Sequence, residues 1–328
     1  DTLYNKHIKP FLGKKVLNRI TKVQCVQLLK DIKEKGLGWE TQNSARIMMT
    51  DLFNRALEDD FVLKNPMKGV RLPSNKPDEE RKILSVEEQK LFYEASAGTW
   101  YDNAFIVAVN TGLRPGELFA LTWEDIDLEK KEININKTMV YQKFDGDEGK
   151  TFHVGEPKTK SSIRTVPINN MCEKALKKQY IQKKIVADKY RDKEVKYSDR
   201  LFVTKFNTPI NSQIFNEAIE RIIKELNLMQ SNLEQIEKFG GHTFRHTFAT
   251  RCIESGIQPK TLQKYLGHAT LQMTMDLYVH TTDEHKHEEM KKLEDSTERI
   301  CSDSKGVDEK FENLIKENDK IIKFTLGA

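Results

Sequence analysis

Gly241-His242-Thr243-Phe244-Arg245-His246-Thr247-Phe248-Ala249-Thr250 is the stretch from which the rest of this chain can be ordered. The glycine pair Gly240-Gly241 marks a break, and the residues after it read as the opening of a helix. On a helix, His242 and Arg245 stand at i and i+3 and therefore share one face. His246 falls one step round and reads as a packing or capping residue. A histidine and an arginine on one face combine a proton carrier with a planar fork able to grip two oxygens of an anion.

Moving toward the C-terminus, Tyr265-Leu266-Gly267-His268-Ala269-Thr270 closes one helix at Gly267 and can open another at Thr270. The first of these helices carries Pro259 in its first turn. Tyr278, within Met275-Asp276-Leu277-Tyr278-Val279-His280, then falls near the end of the second. By itself, a tyrosine between Leu277 and Val279 reads as half-buried core.

Toward the N-terminus lie two more islands. Glu156-Pro157-Lys158-Thr159-Lys160-Ser161-Ser162-Ile163-Arg164-Thr165-Val166-Pro167 reads as a basic hairpin tip running into a strand. A lysine there can reach a departing oxygen and donate a proton, although a Lys-rich loop is more often a solvated turn. Thr111-Gly112-Leu113-Arg114-Pro115-Gly116-Glu117 puts Arg114 just before a helix start, with Pro115 in the first turn. Free backbone N–H groups and the helix dipole favour an anion at that place. Alone, this would be a surface arginine on a capping loop.

Around these islands, 328 residues suit two domains rather than one. Residues 1–73 read as a small helical unit. Thr21 and Gln24 form a capping-box pattern, and Cys25, Leu28, Leu29 and Ile32 follow at helical spacing. A second helix runs from about Thr41, with Ala45, Met48, Met49, Leu52, Phe53, Ala56 and Leu57 on one face, and stops before Asn65-Pro66. Residues 74–82 are a polar, proline-containing linker. A helix opens at Ser85 with Glu88 as its capping partner, and an apolar helix over Ala104–Val109 ends near Gly112. From Glu132 to Pro167 the pattern alternates: Ile133 and Ile135, Met139 and Tyr141, and Ile163, Thr165 and Val166 read as short strands around a polar excursion at 145–149. The expected fold is mainly α with a small antiparallel β-sheet. The second domain spans 83–294, followed by a tail, 295–328, whose apolar patch comprises Phe311, Leu314, Ile315, Ile321, Ile322 and Phe324.

Composition narrows the class of function. No run approaches the roughly 18 apolar residues of a membrane span, and no secretory signal is visible. Cys25, Cys172, Cys252 and Cys301 are far apart and form no CxxC pair, so neither a disulfide framework nor a zinc site is indicated, in keeping with a cytoplasmic location. A net charge of +4 says little about nucleic acid. The local crowding of Lys14, Lys15, Arg19, Lys22, Lys30, Lys33 and Lys35 says more, although a solvated helical surface would look the same. The chain opens without Met inside helical sequence, from which a removed upstream segment is expected.

Taken together, the islands supply two arginines, a lysine, two histidines and a tyrosine, with no acidic cluster to hold a metal. In order and local wording they resemble the tyrosine recombinase (phage integrase) family, whose members carry an Arg in a TGLRxxE box, a hairpin Lys, an HxxR box, an LGH box and a Tyr shortly after. The first domain is similar to that family's core-binding domain, including Ile8-Lys9-Pro10-Phe11-Leu12-Gly13 at its start and Asn65-Pro66 at its close. The resemblance implies a helical core-binding domain followed by a tyrosine-recombinase catalytic domain. By position, Arg114 and Arg245 would grip the phosphate, and Lys158 would protonate the departing 5′ oxygen. His242 and His268 would hydrogen-bond the phosphate or assist proton movement, Glu117 would help orient the catalytic groups, and Tyr278 would be the nucleophile. Lys160 competes with Lys158 for the acid's role, because the hairpin is one residue longer than in many relatives.

The resemblance further implies site-specific recombination of double-stranded DNA without cofactor, metal or ATP, because a phosphotyrosyl ester conserves the linkage for a second 5′-OH to reclaim. It implies dimer intermediates and a homo-tetramer on DNA, with the apolar tail packing on a neighbour or on its own domain, and a bacterial or phage-encoded mobile-element integrase. The two domains would close around the duplex as a clamp, with Lys14, Lys15, Arg19, Gln42, Asn43, Arg46 and Lys160 as contacts. The competing readings are a topoisomerase-like or telomere-resolving strand transferase, a DNA-binding protein without catalysis, and, last, a metal-dependent nuclease built on His280, His285 and His287.

Overall fold

The structure is a computed structural model, and it describes residues 3–73, 82–157, 159–229 and 235–278, the side chain of Tyr278 excepted. The linker apart from Lys82, Lys158, the three histidines 280, 285 and 287, Cys301 and the apolar tail therefore lie outside the described residues. The chain divides into two compact units, Asp1–Glu80 and Arg81–Ala328.

In the first unit a short helix α1 (Lys9–Leu12) continues from a π-type turn and is followed by α2 (Lys22–Glu34) and α3 (Trp39–Glu58). The Thr21–Gln24 capping box forms in both directions: the hydroxyl accepts from the Gln24 N–H, and the Gln24 side chain accepts from the Thr21 N–H. Cys25, Leu28, Leu29 and Ile32 of α2 meet Ala45, Met49, Phe53 and Ala56 of α3 in one core, joined by Ile8 and Leu12. Leu57, expected on that face, is 40% exposed. The buried stripe runs 45, 49, 53, 56, and the next residue is already rotated a further 100° away from it. Asn65 ties the following loop back by donating to the Thr50 carbonyl and to Asn54 Oδ1.

The second unit is built on α5 (Asp102–Thr111), which follows α4 (Val86–Ser96). Ala104, Phe105, Val107, Ala108 and Val109 are all buried, so α5 is apolar on most of its circumference, as a helix at the centre of a core must be. Around it pack α6 (Pro115–Ala120), α7 (Asn170–Lys189), α8 (Ser212–Met229) and α9 (Gly241–Glu254). Phe92, Phe105, Phe119, Phe215, Phe239 and Phe244 interlock there at tilted or edge-on angles, the geometry that ring quadrupoles favour. Helices α10 (Pro259–Leu266) and α11 (Gln272–Tyr278) close the described chain, with Ala249, Cys252, Ile253, Leu262 and Leu266 as a small second core beneath them.

The strands lie between α6 and α7. β1 (Ile126–Asp127), β2 (Glu132–Ile135) and β5 (Arg164–Pro167) make an antiparallel three-stranded sheet in that order. β3 (Thr138–Gln142) and β4 (Thr151–Gly155) make a separate hairpin around the 145–149 excursion. The architecture is thus mainly α with small antiparallel sheets. Strand β4 lies outside the expected strand residues because its side chains are neither clearly buried nor clearly exposed. Ile163 stands outside β5 and is 51% exposed, ending a 3₁₀ turn over Lys160–Ser162. The register pairs Ile133 with Val166 and Ile135 with Arg164, so Arg164 sits on the same sheet face as those buried apolar residues.

Among the described residues no helix is long and apolar enough to cross a membrane. Cys25, Cys172 and Cys252 are free and buried. Burial pushes their thiols up, to about 11 for Cys25 and about 12 for the other two, which leaves them unreactive.

Candidate active site

Gly112 ends α5 in the left-handed conformation (φ 62°). A Cβ there would stand 2.3 Å from the Phe248 ring, so both the turn and the packing demand glycine. Two residues later Arg114 is the N-cap of α6, with Pro115 as the first helical residue. Glu117, in the first turn, reaches back to accept the Arg114 backbone N–H at 2.9 Å and the Arg114 Nη1 at 2.8 Å. Arg114 is thereby held at its root while its side chain stays one-third exposed, at 33%.

Glu117 is 3% exposed, and a second guanidinium meets it from β5. Arg164 Nη1 and Nη2 donate to its two oxygens at 3.0 and 2.9 Å. Burial alone would raise the carboxyl pKa, but the hydrogen bond and charge of Arg164, and then the backbone N–H and charge of Arg114, outweigh it and hold Glu117 below the usual carboxylate range.

Arg245, on α9, is 6% exposed and bridges two helix ends. Its Nη1 donates to the Gly112 carbonyl at 2.8 Å and its Nη2 to the Leu266 carbonyl at 2.6 Å. Both acceptors are C-terminal carbonyls, where the helix dipole welcomes a cation. Desolvation and the charges of Arg114 and Arg164 lower its affinity for a proton, while Glu117 opposes them. The delocalised guanidinium stays charged at neutral pH regardless. His242, one turn earlier on the same face, is exposed. Desolvation of its ring, and then the positive charges of Arg245 and Arg114, keep it below its ordinary value, so the neutral imidazole is favoured at neutral pH.

His268 follows Gly267, whose φ of 62° ends α10. Its Nδ1 lies 2.9 Å from Thr274 Oγ1, which fixes the ring against α11. Thr270 Oγ1 accepts weakly, at 3.4 Å, from the Met273 N–H at the start of that helix. Arg245, His246, His268 and Leu277 line one small cleft of about 110 Å³. His246 is half-buried in its wall. Arg114 and His242 line a larger one of about 650 Å³, bounded by Thr138, Tyr141, Lys150 and Gln213.

The structure therefore brings Arg114, Glu117, His242, Arg245 and His268 together, and seats the helix ending at Tyr278 against the same cleft. Of the lysines, Lys160 is exposed at the start of the 3₁₀ turn, whereas Lys158 lies outside the described residues. Lys14, Lys15 and Arg19 are exposed on the first unit. Asn43 Oδ1 accepts from Arg46 Nε and Nη2 at 3.3 and 3.0 Å, so those two side chains are bonded to each other. Gln42 is a correction. It is 3% exposed and donates Nε2 to the Leu37 carbonyl at 2.9 Å, because three residues before Ala45 it falls on the buried stripe of α3. It holds a loop and has no surface to offer DNA. Arg164 is the residue that sequence reasoning passed over. The strand alternation carried the signal, since an Arg in phase with Val166 must point inward and needs a buried partner. Among the described residues no group of three or more His, Cys, Asp or Glu could hold a metal ion.

What this arrangement can do is hold a phosphate. Arg114 and Arg164 pair with Glu117 while Arg245 lies close enough to feel all three charges, which leaves an excess of positive charge at the site that a bound anion relieves. The comparisons with known proteins agree. The sequence pattern of the phage integrase family matches residues 76–285. The chain is 30% identical over 307 residues to the transposase of transposon Tn916 from Enterococcus faecalis, covering 90% of this chain and 72% of that one. It is 30% identical over 304 residues to the ICEBs1 integrase of Bacillus subtilis strain 168, covering 89% and 76%. Among solved structures, the Tn1549 transposon integrase in complex with transposon right end DNA superposes with a TM-score of 0.74 at 25% identity, covering 89% of this chain and 91% of that one. The chain belongs to the phage integrase family: it is a tyrosine recombinase of the integrase type, an enzyme that binds double-stranded DNA and cleaves and rejoins its strands.

Proposed function

We propose that this recombinase performs site-specific strand exchange at the ends of a mobile element, with Tyr278 as its nucleophile. The supporting observation is the double donation from Arg245 to Gly112 and Leu266, which unites three separate sequence islands about one cationic centre. The Tyr278 oxygen attacks the scissile phosphorus and forms a phosphotyrosyl ester as the bond to the 5′ oxygen breaks. Arg114 and Arg245 grip the non-bridging oxygens and offset the charge of the pentacovalent transition state, each such donor being worth about 3 kcal/mol. The tyrosine proton passes toward neutral His242, while Lys158, or Lys160 in its place, delivers a proton to the departing oxygen. His268 hydrogen-bonds the phosphate. A free 5′-OH from the partner duplex reverses these steps, so the bond energy is conserved and no nucleotide is consumed. Two duplexes must then be held side by side, which a homo-tetramer assembled from dimers does.

The test uses nicked suicide duplexes from the junction DNA of the element that encodes the chain. Wild type should accumulate a covalent adduct whose trapped peptide contains Tyr278, and Tyr278→Phe should bind the duplex equally well with no adduct. Attachment through another side chain, or an adduct formed by Tyr278→Phe, would refute the proposal.

A further inference from the structure

Arg164 has more bonds to the site than any role in holding one carboxylate requires. Besides its two bonds to Glu117, its Nε donates to the Tyr265 carbonyl at 2.6 Å and its Nη1 to the Ser162 carbonyl at 3.0 Å. The side chain is 6% exposed. With four donations made and little surface, the guanidinium is committed to the protein and is not a third phosphate clamp. The groups it holds belong to three separate islands: Glu117 and through it Arg114, the 3₁₀ turn that carries Lys160, and the last turn of α10 just ahead of His268. Gly267 lets these parts close up, since a Cβ there would stand 2.9 Å from the Ser161 carbonyl and 3.0 Å from Arg164 Cδ. Arg245 takes the neighbouring Leu266 carbonyl, so the two arginines hold the end of α10 from adjacent peptide groups.

We propose that Arg164 is a positioning residue for strand cleavage. It fixes the Arg114 guanidinium through Glu117 and keeps the hairpin turn and the His268 loop in register with it, and it contributes to the cleavage rate without contributing to DNA affinity. This rests on the phosphotyrosyl chemistry proposed above. A lysine in its place keeps the charge but offers a single centre and loses the planar fork that spans Glu117 and two carbonyls. A displacement of about 1 Å at a reacting group is enough to slow chemistry by about 100-fold.

Single-turnover cleavage of suicide duplexes over a range of DNA concentrations separates the two quantities. Arg164→Lys and Arg164→Gln should keep half-saturation within about threefold of wild type and lose about 10- to 100-fold in limiting rate, Lys less than Gln. The same duplexes carrying a methylphosphonate at the scissile position remove the phosphate charge that Arg114 offsets. On them the deficit of both variants should shrink. A lost folded fraction would instead lower the amplitude and leave the rate ratio equal on both substrates, and that result overturns the proposal, as do wild-type rates in both variants. If wild type itself forms no tyrosyl adduct, the nucleophile assignment has failed; if wild type does and the variants match it, only the role of Arg164 has.

Discussion

Glu117→Gln is a nearly isosteric change that removes the carboxylate paired with Arg114 and Arg164. Breaking a buried ion pair by neutralising one partner typically costs about 3–5 kcal/mol. Two features of this site reduce that figure. The amide oxygen of Gln can still accept from one arginine, and Arg114 is a third exposed, so water screens part of its loss. The expected destabilisation at pH 7 is about 2–3 kcal/mol. For a unit of this size that is a fall of about 4–12 °C in melting temperature. Its dependence on pH has a definite sign. The folded-state pKa of Glu117 is depressed, so its contribution is fully present above the unfolded value near 4.3 and is lost as the pH falls through the lower folded value. Denaturant unfolding of wild type and Glu117→Gln at neutral pH, and again at a series of pH values below about 4.3, should show the gap narrowing with acid. Equal stability at pH 7, or a gap that stays constant through the acid range, would refute the claim that a charged Glu117 organises these arginines.

Two further substitutions separate packing from DNA contact. Gly112→Ala adds a Cβ 2.3 Å from the Phe248 ring at a φ of 62°, so left-handed strain of about 1–2 kcal/mol and overpacking of about 1–3 kcal/mol should together lower stability measurably in chemical denaturation. In the first unit, Gln42→Ala should cost about 1–3 kcal/mol in stability by orphaning the Leu37 carbonyl, with an unchanged salt dependence of DNA binding. Replacing Lys14, Lys15 or Arg19 by Ala should leave stability alone and reduce the slope of log affinity against log salt by about 1 each where a phosphate contact is lost.

Local sequence carried the elements whose causes are local. The capping boxes at Thr21 and Ser85 are met by reciprocal hydrogen bonds, Gly112 and Gly267 end their helices in the left-handed conformation, and the apolar run at 104–109 is a buried helix. The ordered islands were specific enough to indicate the family, because each holds a short side-chain pattern that the backbone presents within one or two turns. Burial on a two-sided element was less legible. Gln42 looked like a free polar residue, and Arg164 looked like one more charge in a basic turn. In both cases the residue's phase along its helix or strand, rather than its polarity, decided where it points.

Residue types and their spacing by themselves determined a mainly helical chain with two arginines, a lysine, two histidines and a late tyrosine in an order that resembles the phage integrase family. Tertiary structure alone decided which carbonyls and which carboxylate those arginines answer to. Arg245 joins Gly112 to Leu266, and Arg164 joins Glu117 to Tyr265, across separations of 133, 21, 47 and 101 residues. Such partners leave no periodicity in the chain. A buried guanidinium must be satisfied by whatever acceptors the packed helices bring within hydrogen-bond reach, and that is settled only when the core has closed around it.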